Sequence, residues 1–308
     1  MENFEFLEND FEFVGDKHDI YHEAALPVAS AWSEFWKRLA MNKGACLGGI
    51  MIIVIILMAI FAPLFSKWQF DLVDTSIRSL SPSLEHLFGT DVLGRDLWIR
   101  IWMGTRISLI VAGVAVIIDI CFGMVYGLIS GYFGGRVDVI MQRIQEIVSS
   151  IPSLVILTLL LIIMKASLTT IIIALLLTGW IGMSRITRAQ VLKIKEEEFV
   201  LASKTLGASG MFIIFKNILP NIFNQLIIMS MFSIPSAIFY ESFLAFVGLG
   251  IPAPTASLGT LINDGFDSIL IYPYMVVIPV IVLAVLMLSF NLLADGLRDA
   301  FDPTMKEM

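Results

Sequence analysis

Six long uncharged runs recur along the chain, each bounded by charged or turn-forming residues. They lie at 44–66, 107–130, 147–164, 166–184, 217–240 and within 268–294. A helix that crosses a bilayer needs about 20 apolar residues, because the hydrocarbon offers no water to its backbone groups. The second run is broken only by Asp119, and the third and fourth are separated only by Lys165 and a tight turn. A seventh uncharged stretch, 242–263, holds Gly248, Gly250, Pro252, Pro254 and Gly259. That density of helix breakers predicts a re-entrant or surface loop. The pattern therefore predicts an all-α integral membrane protein with six transmembrane helices.

Upstream of the first run, Trp32, Phe35, Trp36, Leu39 and Ala40 repeat at helical spacing, with Lys37 and Arg38 off the stripe. This predicts an amphipathic helix, either lying in the inner interface with its tryptophans at headgroup depth or packed on a partner subunit. Placing the N-terminus inside puts 14 of the 20 Lys and Arg residues on cytoplasmic segments. Such a bias fits the rule that inner loops carry the positive charge, so both termini are assigned to the cytoplasm. The chain then divides into a cytoplasmic N-terminal extension with the interfacial helix (1–44) and a first transmembrane helix (45–66). An extracytoplasmic loop (67–106), a five-helix core (107–294) that includes the inner loop 185–220, and a cytoplasmic tail (295–308) follow.

Composition sharpens the picture. Hydrophobic residues make up 57% of the chain and charged ones 15%, and the excess is gathered in the uncharged runs, so the partner of these faces is the lipid bilayer. A net charge of −7 argues against a nucleic-acid partner, and eight acids crowd the first 23 residues. The acidic, aromatic start also lacks the pattern of a cleavable signal. Cys46 and Cys121 lie in apolar runs with no CxxC and no histidine cluster, which predicts small packing residues and no metal. A phosphate-binding P-loop requires a Gly-Lys pair, and none occurs; HExxH and GxSxG are missing as well. The chain is expected to be non-catalytic and to bind no cofactor itself.

The longest inner loop after the N-terminal tail, from about Arg185 to Pro220, reads RITRAQVLKIKEEEFVLASKTLGASGMFIIFKNILP. Two short helical stretches, Glu196–Leu206 and Ser209–Leu219, are predicted on either side of Gly207. Glycine suits a reversal where φ is positive, and Pro220 suits the opening of the following span. The result is either a compact knob that docks into another protein or an ordinary charged loop, and the residues alone leave both open.

This loop resembles the coupling loop of bacterial ABC importer permeases, whose pattern is Glu-Ala-Ala, three residues, Gly, nine residues, Ile, one residue, Leu-Pro. Ala202, Gly207, Leu219 and Pro220 match it, whereas Leu201, Ser203 and Asn217 stand in the Glu, second Ala and Ile places. The stretch Phe88–Asp96 with Arg100, Gly104, Arg106 and Ser108 resembles the dipeptide/oligopeptide branch. So do Gly134–Asp138, Ile151-Pro152-Ser153, Glu241 with Gly248–Pro254, and Asn291–Pro303. The similarity is to the second permease subunit, the one with an N-terminal extension. The resemblance implies a type I ABC importer permease fold in the bacterial plasma (inner) membrane, serving oligopeptide or dipeptide import. It also implies a heterodimer with a homologous permease, two ATPase subunits that carry ATP and magnesium, and an extracytoplasmic peptide-binding protein. Glu198, Leu201, Ala202, Ser203, Gly207, Ala208, Leu219 and Pro220 would then form the ATPase-coupling loop. Related permeases for nickel chelates or glutathione share these motifs. An ion-coupled secondary transporter is a further alternative, as is a membrane scaffold or signalling subunit that passes no solute.

Seven other residues carry candidate chemistry. Asp119 falls near the middle of the second span, where a carboxylate faces either the solute path or a neighbouring helix. Glu241 ends the fifth span and either caps the backbone N–H groups of the Gly/Pro loop or forms part of an outer gate. Asp91, Arg95 and Asp96 in the outer loop either pair among themselves or meet a docking receptor. Arg143 and Glu146 are spaced for an ion pair on the inner surface.

Overall fold

In lipid a chain has few ways to satisfy its backbone, and this one takes the helical way almost throughout. The computed structural model describes residues 31–301; the acidic tail at about 1–28 and residues 302–308 lie outside them. The helices are α1 (Ala31–Met41), α2 (Lys43–Phe65), α3 (Leu97–Phe133), α4 (Gly135–Ser150) and α5 (Ser153–Met164), followed by α6 (Leu168–Ile194), α7 (Glu198–Thr205), α8 (Gly210–Leu249), α9 (Leu258–Phe266) and α10 (Tyr274–Phe301). Among the described residues no strand forms; one isolated bridge joins Thr90 to Asp96.

Five helices, α2, α3, α6, α8 and α10, are long and apolar enough to cross a membrane. The third expected span, 147–164, is not one helix. α4 and α5 meet at a 71° bend and make the sixth passage only as a broken pair. The break has a local cause: Pro152 excludes helical geometry at the residue before it, and Ile151 is extended at φ −91°, ψ 124°. α5 alone, at 12 residues, reaches about 18 Å, short of the roughly 30 Å of hydrocarbon.

Other boundaries move outward from the apolar runs. α3 starts at Leu97, where the Asp96 side chain accepts from the Ile99 N–H at 3.1 Å, so the outer loop ends ten residues before 107. The stretch from residue 295, expected as tail, is helical as far as Phe301. The inner loop 185–220 contracts, because α6 runs on to Ile194 and helix resumes at Gly210. Of the Gly/Pro-rich stretch 242–263 expected as a loop, only 250–257 is one: α8 runs through its start to Leu249, and α9, with Leu258 and Leu261 buried, takes its end.

The long helices pack through small residues. α2 and α10 approach so closely at Gly48 that an added Cβ would lie 2.6 Å from the Ser289 carbonyl oxygen. Pro63 in α2 has no N–H to offer the Ala59 carbonyl, and Arg106 of α3 donates to that oxygen and, at 2.8 Å, to that of Ile60. A core of Ile52, Ile55, Trp102, Ile238, Leu258 and Leu286 joins α2, α3, α8, α9 and α10. α1 turns one residue, Phe35, onto Phe301 with ring centroids 4.4 Å apart, while Trp32 and Trp36 stay exposed. Asn42 ties the same end together, donating to Asp299 at 2.9 Å. A groove lined by Glu197, Phe199, Arg298 and Phe301 brings α7 to the end of α10. The N-terminal helix, α7 and the C-terminal end of α10 thus share one end of the bundle.

Candidate functional site

At that shared end, α7 rises from the base of α6 and folds back onto α8. Val200 is its one buried residue, set into a cluster with Ile213, Ile214, Ile218 and Ile222 of α8. Phe199, Leu201 and Leu206 face outward, Leu206 at 88% exposure, with Met211, Phe212 and Phe215 exposed on the adjoining turns. Glu198 and Ala202 are exposed and Ser203 and Ala208 half-buried.

The reversal between the helices is a Schellman motif. The Gly207 N–H donates to Lys204 O at 3.0 Å and the Ala208 N–H to Ser203 O at 3.1 Å. Gly207 itself sits at φ +83° with open space around it, so backbone conformation rather than crowding selects glycine there. Ser209 then caps the next helix, its Oγ accepting from the Phe212 N–H at 3.3 Å. After a short α-helical start at Gly210–Phe212, α8 passes through a π-helical stretch, Ile213–Ile218, before α geometry resumes at Leu219. Pro220 falls in the first turn of that resumed segment, inside α8 rather than at its opening. Asn217 Nδ2 donates to Ser203 Oγ across the reversal at 2.6 Å.

The base of the knob is clamped. Arg188 of α6 makes a two-pronged pair with Asp138 of α4, both contacts at 2.6 Å, and Ser130 of α3 adds a hydroxyl at 2.5 Å. Lys195, between α6 and α7, donates to Gly131 O at 3.2 Å. Neither partnership is visible in the sequence, since Asp138 and Arg188 stand 50 residues apart. Arg143 and Glu146 pair at 2.6 Å as their spacing predicts, and both are well exposed, so the contact adds only tenths of a kcal/mol.

At the opposite end, Asp91, Arg95 and Asp96 are buried. Asp91 accepts from the Leu93 and Arg95 N–H groups at 2.9 Å and from Arg95 Nε at 2.6 Å. Arg100 lies 3.5 Å from Asp91 and 3.4 Å from Asp264 of α9, and Arg95 lies 3.5 Å from Asp264. Asp96 meets His86 Nδ1 at 2.8 Å. Asp91 and Arg95 thus pair with each other, whereas Asp96 pairs with His86 and caps α3. Arg100, His86 and Asp264 belong to this network and were not among the candidates. Burial raises the Asp264 carboxyl above its ordinary range, and the guanidinium groups of Arg100 and Arg95 pull the other way.

Within the bundle, Asp119 and Glu241 are both buried, Asp119 in a π-helical stretch of α3. Glu241 takes hydroxyl donors, Ser108 at 3.1 Å and Ser242 at 3.3 Å, and does not cap backbone N–H groups of the Gly/Pro loop. Glu241 lines a cavity of about 250 Å³ between α5, α6 and α8, and Asp119 lines a smaller one of about 120 Å³. Leu175, Gly179, Ala237 and Tyr240 border both, so the two carboxylates face neighbouring spaces.

The comparisons with known proteins agree with this layout. Residues 123–307 match the family described as "Binding-protein-dependent transport system inner membrane component". Residues 30–82 match the N-terminal TM domain of oligopeptide transport permease C. The chain is 44% identical to the oligopeptide transport system permease protein OppC of Bacillus subtilis, over 90% of this chain and 91% of that one. It is 45% identical to the dipeptide transport system permease protein DppC of the same organism, over 91% and 88%. Against DppC of Lactococcus lactis the identity is 40% over the full length of both. Among solved structures, the MetNI methionine ABC transporter in an inward-facing conformation shares the fold, with a TM-score of 0.54 and 19% identity. That likeness covers 66% of this chain and 97% of the other.

Proposed function

The chain belongs to the inner-membrane components of binding-protein-dependent transport systems, and from that premise we propose that it forms half of a peptide path opened by ATPases gripping α7. It is a non-catalytic, multi-pass permease of the inner membrane in a family of ABC importers, which work with ATPase and binding-protein partners. The proposal adds the solute, an oligopeptide or dipeptide, and the assembly: a heterodimer with a homologous permease, two ATPase subunits and one receptor. ATP and magnesium belong to the ATPases.

One observation supports the coupling assignment above the rest. The inner end carries a knob whose apolar side chains face outward and whose buried attachment is a single valine, Val200. Phe199, Leu201 and Leu206 are exposed apolar side chains whose burial in a partner's cleft would be favourable. The Leu201 departure makes this contact apolar where the family pattern has a carboxylate, so docking depends little on salt. When nucleotide draws the ATPases together, the knob moves as a body. Its attachment to α6 and α8 then shifts the bundle between two packed states, biased by nucleotide at one end and by the receptor at the other. Asp119 and Glu241 face the cavities beside this moving helix and are the candidates for contact with the passing solute.

Reconstitution tests the reading. In vesicles holding the chain with its partner permease, ATPases and receptor, a labelled tetrapeptide should accumulate only with ATP. Accumulation of a nickel chelate or glutathione in place of peptide would overturn the solute, and uptake without the ATPases would overturn the coupling.

A further inference from the structure

Two of the three departures from the coupling-loop pattern touch each other. Ser203 replaces the second alanine and Asn217 the isoleucine, 14 residues apart, yet Asn217 Nδ2 donates to Ser203 Oγ at 2.6 Å. We propose that this pair is a polar latch that stands in for an apolar contact, fixes α7 on α8, and carries the ATPase's movement into the α8 span. The proposal rests on the coupling reading above.

The geometry of the hydroxyl supports a fixed arrangement. Ser203 Oγ donates to Phe199 O at 2.9 Å and accepts from Asn217, so its hydrogen has a place to go and its lone pair is used. The backbone at Asn217 is engaged too, its main-chain carbonyl accepting from Asn221 Nδ2 at 2.6 Å. Both side chains are half-buried. A half-buried carboxamide facing alanine would lose its partner and keep its desolvation cost, so the asparagine requires the serine. The reverse dependence is weaker, because Ser203 would keep its bond to Phe199.

The latch matters because little else joins the two helices. α7 has one buried residue, Val200, which shares a face with Ser203 at a separation of three. An apolar contact is non-directional and lets the helix pivot about it. A hydrogen bond one turn farther along is directional and stops that pivot. The Gly207 turn adds the two backbone bonds of its Schellman motif but no side-chain contact at the glycine.

The test compares three variants in the complete reconstituted transporter, reading ATP hydrolysed per peptide imported and the ATPases retained on purification. Ser203→Ala should raise the ratio about fivefold, the factor that one ordinary hydrogen bond represents. Asn217→Ile should raise it less, and the double replacement, which recreates the family's Ala–Ile pair, should return it to near the wild-type value. The ATPases should co-purify with all three. An unchanged ratio in Ser203→Ala, or a double variant no better than that single one, would overturn the latch. So would loss of the ATPases from Ser203→Ala, since docking rather than transmission would have failed. Failure of the coupling reading itself looks different: uptake by the wild-type complex would then be independent of ATPase.

Discussion

The outer loop and the inner knob look alike in sequence, as polar connections of similar size rich in charge, yet they place their charges differently. Outside, Asp91, Arg95 and Arg100 turn inward, and Arg100 is only 2% exposed. Inside, Arg188 and Asp138 pair at the base of the knob, while on α7 Glu198 and Lys204 are exposed beside leucine and phenylalanine side chains that face water, Leu206 at 88%. The outer loop pairs its charges with one another and with Arg100 of α3 and Asp264 of α9, while Leu72, Val73, Leu84 and Leu87 stay exposed on it. The knob has left apolar surface uncovered, which costs free energy unless a partner takes it up. Uncovered apolar surface occurs in both regions, so the docking proposed for the knob rests on its resemblance to the coupling loop together with its exposed leucines.

Four substitutions press on this contrast. The largest effect is expected at Asp91→Ala, which leaves Arg95 and Arg100 without their shared carboxylate in a buried site. Breaking a buried pair in this way costs about 3–5 kcal/mol, so thermal unfolding in detergent should show a marked loss of stability. Gly207→Val comes next. A β-branched residue at φ +83° is strained by about 1–2 kcal/mol. Here the bundle should stay folded while ATP hydrolysis continues without uptake. Leu206→Glu should shift stability by less than about 0.5 kcal/mol, as expected for a surface site, yet weaken retention of the ATPases.

Asp264→Asn should do least, because burial already opposes the charge that its arginine partners favour. Its sign is informative. A carboxyl raised above its ordinary range binds a proton more readily in the folded state, so protonation favours folding. The wild type should therefore gain stability relative to Asp264→Asn as pH falls from neutral toward the ordinary carboxylate range, and unfolding scans at two pH values would measure it.

The apolar runs made most of the architecture legible, since twenty uncharged residues in lipid leave one structural choice. The break at Pro152 was missed, because the expected span 147–164 followed hydropathy, which runs straight through the constraint that proline imposes on Ile151. Helix ends were not legible either, because α3, α6 and α10 continue beyond the hydrocarbon into polar sequence. At the knob, Gly207 announced its turn by residue type, and Ser203 and Asn217 announced themselves as departures. Their contact did not, because it depends on how α7 folds back on α8. The outer network was the least visible: Arg100 and Asp264 lie 164 residues apart, and only the packing of α9 on the loop brings them together.

The central claim is that the ATPase covers the apolar face of the knob. A photo-crosslinking residue placed at Leu206 in the assembled transporter, with one at the fully exposed Leu84 of the outer loop as its counterpart, tests it most directly. The account predicts a crosslink from position 206 to an ATPase subunit and none from position 84. A transport-competent complex in which position 206 fails to reach the ATPase would contradict it.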